Sequence, residues 1–159
     1  MSFSVGDMVV YPHHGASVIR RTETLEVLGE TSEYLVLHID DASLVIKVRA
    51  DQAETLGMRD IIPGDEVDSV LHVLRRRDVR QPSNWSRRYK NHVEMLKTGD
   101  IYQTAEVVRN LSLRKRDAHL SQAEVRMLAQ ARRVLVSELH LAMGVTEEVA
   151  NDRLDLELA

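Results

Sequence analysis

The sequence predicts an α+β fold: a small N-terminal β-barrel or bent sheet followed by a C-terminal bundle of about five helices. Two observations predict it. The hydrophobic period is two over the first fifty residues and about 3.6 from residue 65 onward, and helix-capping residues punctuate only the second stretch.

Taken in order, DMVVYP is a short apolar run closed by Pro12, and ASVIRRTETLEVL is rich in Val, Ile and Thr. EYLVLHI and LVIKVR follow, with Gly15, Gly29 and the DDAS stretch as turn signals. Four or five short strands bury little surface, so this module is expected to need a neighbour or a partner. In DEVDSVLHVLRR, residues Val67, Val70, Leu71 and Leu74 share one helical face, with Asp65 placed to cap it. NWSRRYKNHVEMLKTG begins at a cap supplied by Ser83 or Asn84 and ends at Gly99. Asp100 is placed to cap IYQTAEVVRNLSLRKR. Ser121 and Glu124 stand at capping-box spacing before SQAEVRMLAQARRVLVSELHLAMG, and Thr146 opens the last helix. The period changes near LGMRDIIPGD, which divides the chain into domains 1–60 and 61–159. No long coiled-coil seam is visible, and a monomer is expected.

With 159 residues and 43% of them hydrophobic, the chain can build a real core, although aromatics are scarce at 4%. It has no cysteine, which excludes disulfides and thiolate metal sites. MSFSVGDMVVYP lacks the basic-then-apolar pattern of a secretion signal, and no stretch approaches the roughly 18 apolar residues of a membrane span. The expected location is the cytoplasm. The net charge of −4 hides a segregation. Residues 1–60 carry a net −5, residues 61–74 a net −3, residues 75–116 a net +8 and residues 117–159 a net −4. More than half of all Lys and Arg fall in that one basic stretch, the footprint of a surface that meets phosphates. A solvated helix face would carry the same charge.

No motif argues for catalysis. His13 and His14 stand beside Gly15 without a second ligand cluster, and a turn explains them better than a metal. Asp40 with Asp41, and Glu147 with Glu148, sit where turn and helix N-terminal residues belong. There is no nucleophile elbow, P-loop or dinucleotide fingerprint, so no enzyme, cofactor or metal is expected.

Trp85, the only tryptophan, admits two readings. Trp85, Tyr89, Val93 and Leu96 recur at helical spacing, which makes the indole a core or half-core residue. It also lies in the first turn of its helix, where it can project beyond a packed bundle. Arg87, Arg88 and Lys90 flank it, and an apolar wedge framed by cations is the equipment of a minor-groove binder. A surface that stacks single-stranded bases needs the same parts.

The segments VGDMVVYPHHG, EYLVLHI, LVIKV, NWSRRYK, LKTGD, AEVVRNL and LSQAEVRMLAQAR together resemble the CarD family of bacterial RNA polymerase-binding transcription regulators, also called CdnL. The resemblance covers nearly the whole chain. It implies an N-terminal Tudor-like domain that docks on the RNA polymerase β subunit. It also implies a helical domain that approaches promoter DNA at the upstream edge of the melted bubble, without strict sequence reading. Trp85 matches the family's tryptophan, Arg87 and Lys90 its neighbouring basic contacts, and Lys47 a basic residue facing polymerase. Leu25 stands where relatives can carry an arginine used against polymerase, Arg49 where a proline usually closes the strand, and Val125 where a basic residue is common. The resemblance moves the reading of Trp85 from core to wedge, and the expected function is stabilisation of the promoter open complex. The alternative is a β-module with a helical domain that binds RNA or a ribosomal partner.

Overall fold

The structure, a computed structural model, describes residues 2–39 and 44–159; Asp40 and Asp41 lie outside them. The chain divides into two compact units, Met1–Ile61 and Ile62–Ala159. The first is an antiparallel sheet of β1 (Met8–Tyr11), β2 (Gly15–Val27), β3 (Glu30–Ile39), β4 (Leu44–Arg49) and β5 (Arg59–Asp60). Its strand order is β4-β3-β2-β1-β5, so the sheet is open rather than a closed barrel, with β4 and β5 at its edges. A register shift between Ile19 and Arg21 bends β2 where it passes from its pairing with β1 to its pairing with β3. Alternate residues then put Val9, Ile19, Leu35, Leu37, Ile39 and Val48 into one core, closed by Ala53 and Met58.

β2 and β3 are longer than their hydrophobic runs. Beyond Ile19, β2 is mostly exposed, and the pairing continues on backbone hydrogen bonds through polar residues as far as Val27 and Glu30. The two residues between them, Leu28 and Gly29, both have positive φ, 53° and 78°. That is what a type I′ hairpin turn demands. Glycine meets the demand without cost, whereas a leucine there is strained, and Leu28 is fully exposed with no packing to offset the strain. His13 also has a positive φ, in the turn before β2, where the His14 ring stacks on Tyr11.

Among the described residues, five helices follow: α1 (Val67–Arg75), α2 (Trp85–Lys97), α3 (Ile101–Asp117), α4 (Gln122–Met143) and α5 (Glu147–Leu158). On α1 the buried residues are Val67, Val70, Leu71 and Leu74, the face read from the sequence. They join Ile101, Ala105, Val108 and Leu111 of α3, Leu135 and Leu139 of α4, and Leu154 of α5 in one core. The caps explain where the helices start. Asp100 accepts from the Tyr102 N–H at 2.8 Å, Ser121 and Glu124 complete a reciprocal capping box, and Thr146 accepts from the Val149 N–H. Gly144, in the left-handed conformation, ends α4. Glu147 and Glu148 fall in the first turn of α5, where the helix dipole favours them.

The expected cap at Asp65 is incorrect. Asp65 lies inside a short 3-10 turn, Gly64–Glu66, and α1 begins at Val67 with Glu66 in the cap position and no side-chain cap. The turn is held in other ways: the Ile62 N–H donates to the buried Glu138 carboxylate at 2.8 Å, and Glu66 accepts from the Tyr102 hydroxyl at 2.9 Å.

Replacing Leu28 with Asn, which tolerates the left-handed region, is expected to stabilise the β2–β3 hairpin by on the order of 1 kcal/mol. Amide hydrogen exchange along β2 and β3 would slow if so; unchanged or faster exchange would show that the turn is unstrained.

Candidate nucleic-acid interface

The N-terminus of α2 is built by a cap and a buried charge. Asn84 accepts from the Arg87 N–H at 3.0 Å, which starts the helix at Trp85. One turn on, Arg88 points inward and is 1% exposed. Its Nε donates to Glu124 Oε2 at 3.1 Å, and its Nη1 donates to the carbonyls of Pro82 and Ser83 at 3.2 and 3.4 Å. Arg88 therefore cannot meet a phosphate, and the sequence-based expectation that it contacts DNA is corrected. Its charge is needed by Glu124, which is also 1% exposed. Burial by itself would raise the Glu124 carboxyl. The Arg88 hydrogen bond, the Ser121 N–H and the guanidinium charge outweigh burial and hold the carboxyl below its ordinary value.

Trp85 is 42% exposed. Its Nε1–H donates to Ser121 Oγ at 3.0 Å and to Glu124 Oε1 at 3.1 Å, so the N-terminus of α4 holds the polar edge of the indole. The ring stacks on Tyr89, with centroids 5.1 Å apart and planes 14° from parallel. Tyr89, Val93 and Leu96 pack against the helical core as half-buried residues. The most buried residues of α2 are instead polar, Arg88 and His92. The apolar period thus found the helix and missed the side that carries its buried ion pair. Arg87 and Lys90 are exposed beside Trp85. An open aromatic, pinned by one edge and flanked by two exposed cations at the positive end of a helix dipole, is what this end of α2 presents.

Other members of the basic stretch act within the unit. Arg109 is 3% exposed. Arg75 bonds Glu157, Arg77 donates to the carbonyls of Glu157 and Ala159 at 3.0 and 3.1 Å, and Arg116 donates to the Leu158 carbonyl. These last arginines satisfy the open C-terminal end of α5.

In the sheet unit, the register puts three candidate residues on one face. Leu25 pairs with Ser32, while Tyr34 and Val36, spaced by twos along β3, pair with Arg49 and Lys47. Lys47 Nζ lies 2.9 Å from Glu23 Oε2, and this contact, with Arg21, holds the Glu23 carboxyl below its usual range. Arg49 bridges Glu30 at 3.0 Å and Asp51 at 2.7 Å. Its φ of −60° is one that proline adopts, so the backbone keeps the bend that a proline there would impose.

Residues 3–62 match the family model for the CarD-like/TRCF RID domain, and residues 69–155 match that for the CarD C-terminal domain. The chain belongs to the CarD family. A Bacillus subtilis (strain 168) protein named "Putative transcription factor YdeB" is 31% identical over 146 residues, covering 92% of this chain and 95% of that protein. CarD proteins are transcription regulators, and the exposed Trp85 with Arg87 and Lys90 lies in the part of the chain matched to the CarD C-terminal domain.

Glu124 titrates lower in the folded chain than in the unfolded one. The stability contributed by its pair is therefore complete above the unfolded value and is lost as pH falls through the folded value. At neutral pH, Arg88→Met strands a buried carboxylate and is expected to cost about 3–5 kcal/mol in urea unfolding. Adding Glu124→Gln removes the stranded charge and should recover part of that loss; a double variant no more stable than Arg88→Met alone would contradict this account.

Proposed function

We propose that this protein docks on the RNA polymerase β subunit through residues 1–60 and uses residues 61–159 to hold promoter DNA open at the upstream edge of the bubble. The observation that carries the reading is the presentation of Trp85, open to solvent at a helix N-terminus yet fixed by Ser121, Glu124 and Tyr89. A wedge must not collapse onto its own protein when it meets a base step, and pinning the indole Nε1 lowers the ordering cost of insertion. Unstacking one step in the minor groove costs about a few kcal/mol, less where the duplex is already distorted.

Arg87 and Lys90 supply the phosphate contacts, now two rather than three. The salt slope for DNA binding is then about −2, and the free protein binds DNA with a dissociation constant of about 10⁻⁴ to 10⁻⁶ M. On the sheet unit, the β4 edge offers backbone groups to a strand of the polymerase, and Lys47, Arg49 and Leu25 line one face beside it. Backbone pairing tolerates the departures at Leu25 and Arg49.

The lifetime of promoter open complexes formed by bacterial RNA polymerase tests the reading. The intact protein should lengthen it and Trp85→Ala should not, with polymerase binding retained by both. An effect of about 1.4 kcal/mol appears as a tenfold change in the open-to-closed ratio. Equal loss of polymerase binding and of the lifetime effect would make Trp85 a structural residue. Separately, Lys47→Glu is expected to weaken polymerase binding while leaving the affinity of the free protein for duplex DNA unchanged.

A further inference from the structure

Between the C-terminal half of α3 and the first half of α4 lies an open groove with a volume of about 610 Å³. We infer that it is the docking site for the exposed face of α5 of a second copy of this chain, so that two copies pair reciprocally. The contact uses none of Trp85, Arg87 and Lys90, and it is independent of the proposed function.

The groove is apolar and basic. Leu120, Val125, Leu128 and Ala129 supply its apolar lining, and Val125 is 53% exposed. Its charged lining residues are Lys115, Arg116 and Arg132, and no carboxylate joins them among the described residues. Lys115 meets no carboxylate elsewhere among the described residues, and Arg116 donates to the Leu158 carbonyl rather than to an acid. Arg132 alone of the three has a carboxylate partner, Asp155 at 2.7 Å. Two positive charges beside an apolar surface thus lack a counter-charge, and the occupant that completes them is both apolar and acidic.

The exposed face of α5 has that character. Ala150, Leu154 and Leu158 are its buried residues. The opposite side shows Val149, Asp152 and Leu156, at i, i+3 and i+7, with Glu148 and Asp155 alongside. Leu156 is 73% exposed. Glu148 and Asp152 have no cation partner among the described residues. The lengths agree as well. Val149 and Leu156 are separated by about 10 Å along the helix axis, and so are Val125 and Arg132, which bound the α4 wall of the groove. Single exposed apolar residues are ordinary on a protein surface. Here one chain carries an apolar, acidic ridge and an apolar, basic groove of the same length, each with two unmatched charges.

The Arg132–Asp155 pair shows that the groove and the edge of the α5 face adjoin. A two-fold axis passing between them seats each α5 on the groove of the other copy, closes the pair and leaves no free end for further growth. Laying a helix into a groove through anchors at i, i+3 and i+7 is a common mode of recognition. The sequence, which has no coiled-coil seam, leads one to expect a monomer; this contact needs no seam, and its small extent makes it weak and dependent on concentration.

Sedimentation equilibrium of the full chain from about 10 µM to about 1 mM tests the inference. The mass should rise from one copy towards two and no further. Lys115→Glu and Asp152→Lys, both surface changes, should each weaken the association about tenfold or more. An equimolar mixture of the two variants should recover it, because each contact then again joins opposite charges. Unchanged unfolding midpoints would show that both variants fold. A chain that stays single at the highest concentration, growth beyond two copies, indifference to both substitutions, or a mixture no better than its components would overturn the inference. So would a chain that never pairs but loses affinity for a short DNA duplex on Lys115→Glu, which would assign the basic lining to DNA.

Discussion

The arrangement at the start of α2 depends on one buried carboxylate. Glu124 accepts at Oε1 from the Ser121 N–H and hydroxyl and from the Trp85 indole, and at Oε2 from Arg88. A buried ion of this kind contributes little net stability compared with a well-packed apolar pair, and removing one partner alone is costly. Its consequence is geometric. The same carboxylate closes the capping box of α4 and fixes Arg88, which in turn holds the Pro82 and Ser83 carbonyls of the segment entering α2. Where α4 begins and where α2 begins are therefore set together, and Trp85 is displayed as a by-product of both.

That constraint also changes the meaning of the charge segregation. The stretch of residues 75–116 carries a net +8, and the stretch after it a net −4. The structure joins the two: Arg88 meets Glu124, Arg75 meets Glu157, and Arg77 and Arg116 cover the carbonyls that end α5. A good part of the basic stretch is thus the internal complement of the acidic helices. Beside Trp85 the exposed cations reduce to Arg87 and Lys90, so a surface that looked strongly basic in the sequence is locally modest.

The legible parts of the sequence were those where a local rule has a single solution. The face of α1 and the caps at Asp100, Ser121 and Thr146 follow from spacing alone, and Asn84 is one of the two residues that spacing offered as the cap of α2. Asp65 misled because a 3-10 turn with backbone and long-range partners took over the work of a cap. ASVIRRTETLEVL spans β2 almost completely, whereas β3 begins three residues before EYLVLHI, in exposed or half-buried polar residues, and two-residue β5 is too short to show a period. At the candidate interface, Trp85, Arg87 and Lys90 were visible as a cluster, whereas the inward turn of Arg88 was not. Its signal was a second use of Glu124, which the capping box had already accounted for. Only tertiary structure brings residues 88 and 124 together.

Weak DNA contact is compatible with the proposed role because the two units are covalently joined. Two phosphate contacts give a free protein that hardly binds duplex at physiological salt. Docked on polymerase, the helical unit would instead face promoter DNA at an effective concentration that can reach about millimolar, and a contact of that strength becomes substantially occupied. A stronger basic face would bind DNA everywhere and compete with the docked state. An interface with few free cations and one pre-set aromatic places the discrimination in the shape of the DNA, because the cost of inserting the indole falls where the duplex is already unstacked. On this reading, the pairing of Arg88 with Glu124 and of Arg75 with Glu157 is part of the function: it matches charges that would otherwise hold the protein on ordinary duplex.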